Sequence, residues 1–140
     1  MTQPIAKAKR VLVVDDNRTV RTIVREVLEM RNNIVCDEAE NGLDAVQKAR
    51  ESKPDLVIMD WAMPVMNGFE AAVALRREMP EVPVVVLTMY DEPMELARTA
   101  CVKAVIPKSD DITALVECVQ NILGVTPKNP EPWRPRPSTL

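Results

Sequence analysis

The chain has 140 residues, 46% hydrophobic and 28% charged, with a formal net charge of −3 and no histidine. That length fits one domain with a real core and leaves no room for a second. The charge supplies no general basic field for nucleic acid, no apolar run approaches the ~20 residues of a membrane helix, and the lack of imidazole removes histidine metal ligands, His-based triads and a histidine phosphodonor.

Aliphatic runs alternate with segments of helical period. "VLVV" (11–14) reads as a strand and is followed directly by Asp15 and Asp16. A helix is expected from about Arg18 to Met30, with Val20, Ile23, Val24, Val27 and Leu28 on one stripe. "NIVC" (33–36) is the second strand, and a helix after Asn41-Gly42 carries Leu43, Val46 and Ala49. "PDLVIM" (54–59) precedes a helix that opens near Asn67-Gly68 and stops before Pro80; "VPVVVL" (82–87) is the fourth strand. Asp91 and Pro93 start a short helix reaching about Thr99, and "VKAVI" (102–106) is a strand interrupted by Lys103. Ser109 and Asp110 are candidate caps of the last helix, whose face holds Ile112, Leu115, Val116, Val119, Ile122 and Leu123 and which ends at Gly124.

Five strand–helix pairs joined by short connections imply an α/β fold, a parallel sheet with helices on both faces, because parallel strands require crossovers. Residues 1–8 are an extension of this unit, 9–124 form the domain, and 125–140, with "TPKNPEPWRPRPSTL", read as a Pro-rich disordered tail or linker. Cys36, Cys101 and Cys118 have no metal or redox spacing and read as reduced, mostly buried thiols. The opening "MTQPIAKAKR" lacks an apolar signal-peptide core, and a cytoplasmic location is expected.

Ligands of open parallel sheets bind beyond the carboxyl ends of the strands. Those ends carry Asp15-Asp16, Asp60, Thr88 and, after the last strand, Lys108. Carboxylates this close repel unless a divalent cation neutralises them, and an all-oxygen set suits Mg²⁺, with Mn²⁺ as an alternative. With the ion bound, Asp60 is placed to act as a nucleophile toward phosphorus. Lys108 would balance charge, and Thr88 would hydrogen-bond a phosphoryl oxygen. Each group alone is more often a turn residue, a cap or a solvated lysine; their joint placement favours function.

On the stretches "VLVVDDN", "DLVIMDWAMPVMNG", "VVVLTMYDE" and "IPKS", the sequence resembles a bacterial two-component response-regulator receiver domain over about residues 9–124. The resemblance implies a flavodoxin-like, doubly wound (βα)5 fold with strand order 2-1-3-4-5. It implies that Asp60 is the phosphoacceptor, Asp15 and Asp16 the acidic metal pair, Thr88 the switch hydroxyl and Lys108 the phosphate-contacting lysine. The Ala62 backbone carbonyl matches the remaining protein metal ligand. Met63-Pro64 and Asn67-Gly68 match the loop into the third helix, where glycine permits backbone geometry that other residues resist.

Some positions depart from the family pattern. Val105 stands where the family usually has Tyr or Phe, so coupling to the face built from the last strand and last two helices is expected to be changed or weakened. Ala62 offers no side-chain group to orient water and Met89 is bulky, which predicts slow loss of the phosphoryl group. Trp61, beside Asp60, reads equally as a fluorescence reporter near the ion and as a loop hydrophobe with no special role.

The reading is a stand-alone signalling switch. It takes a phosphoryl group from a sensor histidine kinase or histidine phosphotransfer protein, then alters binding to an unidentified output protein. It is not an enzyme on an external substrate, and it contacts neither nucleic acid nor membrane. Phosphorylation-dependent homodimerisation follows only by analogy. "LTMYDE" and "PKS" also resemble receivers that often carry a helix-turn-helix domain, which leaves open that the chain is a fragment of a DNA-binding regulator. The alternative is a phosphorylation-independent receiver-like interaction module. A phosphatase of the haloacid dehalogenase type is disfavoured by Ala62, where a second acid is expected. A flavodoxin-like cofactor binder is disfavoured by acids that would repel its phosphate.

Overall fold

A computed structural model describes residues 7–31, 33–63, 65–88, 102–108 and 112–125. Five parallel strands, β1 (Lys9–Val14), β2 (Ile34–Ala39), β3 (Leu56–Asp60), β4 (Val84–Thr88) and β5 (Ala104–Pro107), form one sheet in the order β2-β1-β3-β4-β5. The described helices are α1 (Arg18–Arg31), α2 (Gly42–Ser52), α3 (Gly68–Glu78) and α4 (Ile112–Leu123). The helix expected near 93–99, the caps Ser109 and Asp110, Met89, Cys101 and the tail beyond Val125 lie outside the described residues.

Every residue of β3 and β4 is buried, which explains their unbroken aliphatic sequences: helices cover both faces. One face packs Leu12, Val14, Val57, Met59 and Val86 against Ala45, Ala49, Ala72 and Leu75 of α2 and α3. The other packs Val11, Val13, Ile58 and Val85 against Val24 and Leu28 of α1 and Leu115 and Val119 of α4. Three asparagines open the first three helices. The side chain of Asn17 accepts from the amides of Thr19 and Val20, Asn41 accepts from Asp44, and Asn67 forms a capping box with Glu70. Gly124, with φ 65°, ends α4, and the Val125 amide closes the turn on the Gln120 carbonyl.

The described elements differ from expectation in several places. β2 runs on through Asp37, Glu38 and Ala39, charges that an edge strand tolerates because only one of its sides is paired. The inward stripe of α1 is narrower than expected, leaving Ile23 exposed, and Leu43 at the start of α2 is exposed as well. Trp61 is no surface loop residue: it is buried in the core, edge-on to Phe69 with ring centroids 6.0 Å apart. Gly68 does not adopt the left-handed backbone; only glycine fits there because a Cβ would lie 2.5 Å from the Asp60 carbonyl oxygen. Cys36 and Cys118 are free, and burial, followed by the charge of Glu29, pushes the Cys36 thiol up to about 12. That thiol is inert at neutral pH.

Candidate functional site

Parallel strands bring their carboxyl ends to one rim. Asp15 follows β1 directly, and its amide extends the ladder by donating to the Ala39 carbonyl at 3.1 Å. Asp60 is the last residue of β3 and pairs in register with Leu87, so Thr88 lies one step further along β4. Lys108 follows β5, and its amide donates to the Thr88 carbonyl at 2.7 Å. Asp15, Asp60 and Thr88 are 2%, 6% and 5% exposed, whereas Asp16 is open to solvent.

The structure brings the predicted acids together. One carboxylate oxygen from each of Asp15, Asp16 and Asp60 lies within 4.8 Å of the others. The Lys108 ammonium donates to Asp15 Oδ2 at 2.7 Å and lies 3.4 Å from Asp60 Oδ1. Asp15 Oδ1 also accepts from the Asn17 amide at 2.8 Å, tying the acid to the start of α1. Burial, and then the charge of Asp15, raises the Asp60 carboxyl to about 6, against the lowering influence of Lys108 and a hydrogen bond from the Ala62 amide. For Lys108, burial works against the charged amine, but the hydrogen bond and charge of Asp15, joined by Asp60, outweigh it and raise its pKa.

This donor set fits Mg²⁺. Three hard oxygens converge, one of them on an exposed residue, and one lysine cannot balance three carboxylates. Ala62 is exposed and sits immediately beyond Trp61 at the rim. Val105 is half-buried, pairs with Val86, and packs against the core face that carries α2 and α3.

Motif reading missed Arg21 and Glu38. The Arg21 guanidinium donates from Nη1 to the Asp15 carbonyl at 2.6 Å and from Nε to Glu38 Oε1 at 3.0 Å. The available signal was a cationic residue one turn into α1, on the side nearest a strand that continues into acids.

The fold and the acid–lysine rim together define a receiver-type signalling domain, a switch rather than a classical enzyme. Residues 11–120 match the response regulator receiver domain family, and the chain belongs to that family. It is 41% identical over 90 residues to the response regulator protein VraR of Staphylococcus saprophyticus, covering 64% of this chain and 43% of that protein. It is also 35% identical over 118 residues to the chemotaxis protein CheY of Halobacterium salinarum, covering 83% of this chain and 98% of that one. The chain thus spans less than half the length of the VraR relatives. Among solved structures, the response regulator TrrA of Thermotoga maritima in complex with Mg²⁺–BeF has a TM-score of 0.74 at 34% identity, covering 81% of this chain and 98% of that one. A LuxR-family response regulator from Aurantimonas has a TM-score of 0.78 at 29% identity, covering 84% and 86%.

Proposed function

We propose that the protein is a phosphorylation-controlled switch of a two-component phosphorelay. In this reading Asp60 accepts a phosphoryl group from a sensor histidine kinase or a histidine phosphotransfer protein. The observation that carries it is the clustering of Asp15, Asp16 and Asp60 within 4.8 Å of one another, faced by Lys108, where β1, β3 and β5 end.

The Asp15 and Asp16 carboxylates, an Asp60 oxygen and the Ala62 carbonyl would hold Mg²⁺. When bound, the ion supplies positive charge beside the transferring phosphoryl oxygens. An Asp60 oxygen attacks phosphorus as the donor's N–P bond breaks, and that bond's electron pair leaves on the imidazole nitrogen. Lys108 releases part of its hold on Asp15 to face the phosphoryl charge, and the Thr88 hydroxyl donates to a phosphoryl oxygen. The new acyl phosphate biases the domain between two states that differ in partner affinity. The same residues promote both arrival and loss of the phosphoryl group, without turnover of an external substrate.

Intact-mass spectrometry after incubation with acetyl phosphate and Mg²⁺ tests this reading. A single phosphate adduct is expected, absent from Asp60→Asn and from the EDTA control. No adduct on the native chain would refute it.

A second reading, a phosphorylation-independent interaction module, draws on Val105, which fills the expected aromatic switch position with a half-buried aliphatic side chain. Under that reading Asp60→Asn leaves signalling intact; under the first it abolishes it.

A further inference from the structure

The acids account for the charge of the site but not for its aim. Asp16 is exposed, so the direction of its carboxylate depends on the backbone that carries it. The β1–β2 ladder ends at the pair Val14↔Ala39. One more amide, that of Asp15, finds the Ala39 carbonyl, and the Asp15 carbonyl lies beyond the last paired residues.

Arg21 takes up that carbonyl. Its Nη1 donates to the Asp15 oxygen at 2.6 Å while its Nε donates to Glu38 Oε1 at 3.0 Å, and only 14% of its side chain is exposed. Glu38 is itself anchored: its other carboxylate oxygen accepts from Arg25 Nη1 at 2.5 Å, and its main-chain carbonyl accepts from Lys48 Nζ at 2.5 Å. The guanidinium fork therefore bridges the end of β1 to a fixed point on β2. A peptide group is planar, so holding the Asp15 carbonyl also fixes the Asp16 N–H and the position of the Asp16 Cα, from which that side chain departs. Lysine cannot reproduce this, because a single ammonium on a flexible stem lacks the planar two-directional fork.

We propose that Arg21, backed by Glu38, is a positioning residue of the metal site, holding the Asp15–Asp16 peptide in the plane that turns both carboxylates toward Mg²⁺. Arg21 does not touch the ion or the phosphoryl group. The inference rests on the Mg²⁺ reading above and assigns the residue that sets its affinity.

Calorimetric titration of the full chain with Mg²⁺ tests it, comparing native protein, Arg21→Gln, Arg21→Lys and Glu38→Gln, each checked for cooperative thermal unfolding in EDTA. Loss of an outer partner of a ligand typically costs ~10- to 100-fold in metal affinity. Arg21→Gln is expected to weaken Mg²⁺ binding within that range, with Arg21→Lys and Glu38→Gln in between. The Mg²⁺ concentration giving half-maximal phosphorylation by acetyl phosphate should shift by the same factor, and excess Mg²⁺ should recover the lost rate. A purely structural role would lower the melting temperature and leave that half-saturation point alone. A folded Arg21→Gln protein with native Mg²⁺ affinity overturns the inference. If Arg21→Gln does not fold, Glu38→Gln decides in its place, since it keeps every donor to Asp15 and removes the anchor's charge and one of its two acceptor oxygens. A native chain that takes up no Mg²⁺ removes the proposed site itself; native uptake matched by an unaltered variant removes only the role of Arg21.

Discussion

The Lys108 ammonium is bonded to Asp15 Oδ2 at 2.7 Å and stands 3.4 Å from Asp60, so the amine leans toward Asp15, a proposed metal ligand, rather than the proposed phosphoacceptor. Among the described residues it is the cation paired with both buried acids. Lys108→Ala removes both of its lowering influences on Asp60, and the Asp60 carboxyl should then titrate above about 6 in EDTA. With two acids left uncompensated, stability at pH 8 should fall by about 3–5 kcal/mol. Side-chain carboxyl NMR against pH reads the first effect and urea unfolding the second; an unmoved Asp60 titration would contradict the argument.

Asp60 also sets a pH dependence whose sign differs from that of an ordinary salt-bridged aspartate. Its folded pKa is raised from 3.8 to about 6. Across that window the folded state keeps a proton that the unfolded chain has released. Metal-free stability should therefore fall as pH rises from about 4 to about 6, by on the order of 3 kcal/mol. Asp60→Asn cannot titrate, so in EDTA it should be more stable than the native chain at pH 7–8 by a similar amount. Mg²⁺ should reverse the ranking, because only the native site binds it well. Urea midpoints in EDTA at several pH values provide the check. Equal pH profiles for the two proteins would sink the assignment.

Most of the architecture was legible because it rests on local chemistry. The unbroken aliphatic runs of β3 and β4 announce strands buried on both faces, and Asn41 and Asn67 mark helix starts by capping. The acids were legible because a strand that ends in carboxylates needs a reason. Long-range geometry was not legible. The extension of β2 through Asp37 and Glu38 depends on its edge position, which only the strand order reveals. Trp61 looked like a loop residue because it follows the last strand residue, yet Phe69 on α3 folds over it. Arg21 escaped notice because its partners, the Asp15 carbonyl and Glu38, come together only when β1 and β2 pair.

Gly68 holds the end of β3 in place. Its amide donates to the Trp61 carbonyl at 2.9 Å, and an added Cβ would lie 2.5 Å from the Asp60 oxygen and 2.7 Å from Trp61 Cα, both main-chain atoms that cannot swing aside. Gly68→Ala should cost about 2–3 kcal/mol and displace the Asp60–Trp61 segment. Gly124→Ala is the control, since there a methyl meets nothing within 4 Å and only the left-handed backbone is penalised, at about 1 kcal/mol. Trp61 emission should change in the first variant and not in the second. A Gly68→Ala protein as stable as native would show that the loop relaxes freely.

Val65 lies in the loop between β3 and α3 with φ 69°, a left-handed backbone that a β-branched residue enters only at a cost. It is 78% exposed, so packing of its side chain does little to offset that cost. The neighbouring backbone holds the turn: the Met66 carbonyl accepts from the Gly42 amide at 3.2 Å, and the Asn67 capping box starts α3 directly after it. Asparagine tolerates the left-handed region through its short polar side chain. Val65→Asn should therefore stabilise the protein by about 1 kcal/mol, while Val65→Ile, which keeps the branch at Cβ, should leave stability within a few tenths of that of the native chain. The measurement is the urea midpoint at constant slope. A destabilised Val65→Asn would mean that the valine side chain makes contacts worth more than the backbone strain it carries.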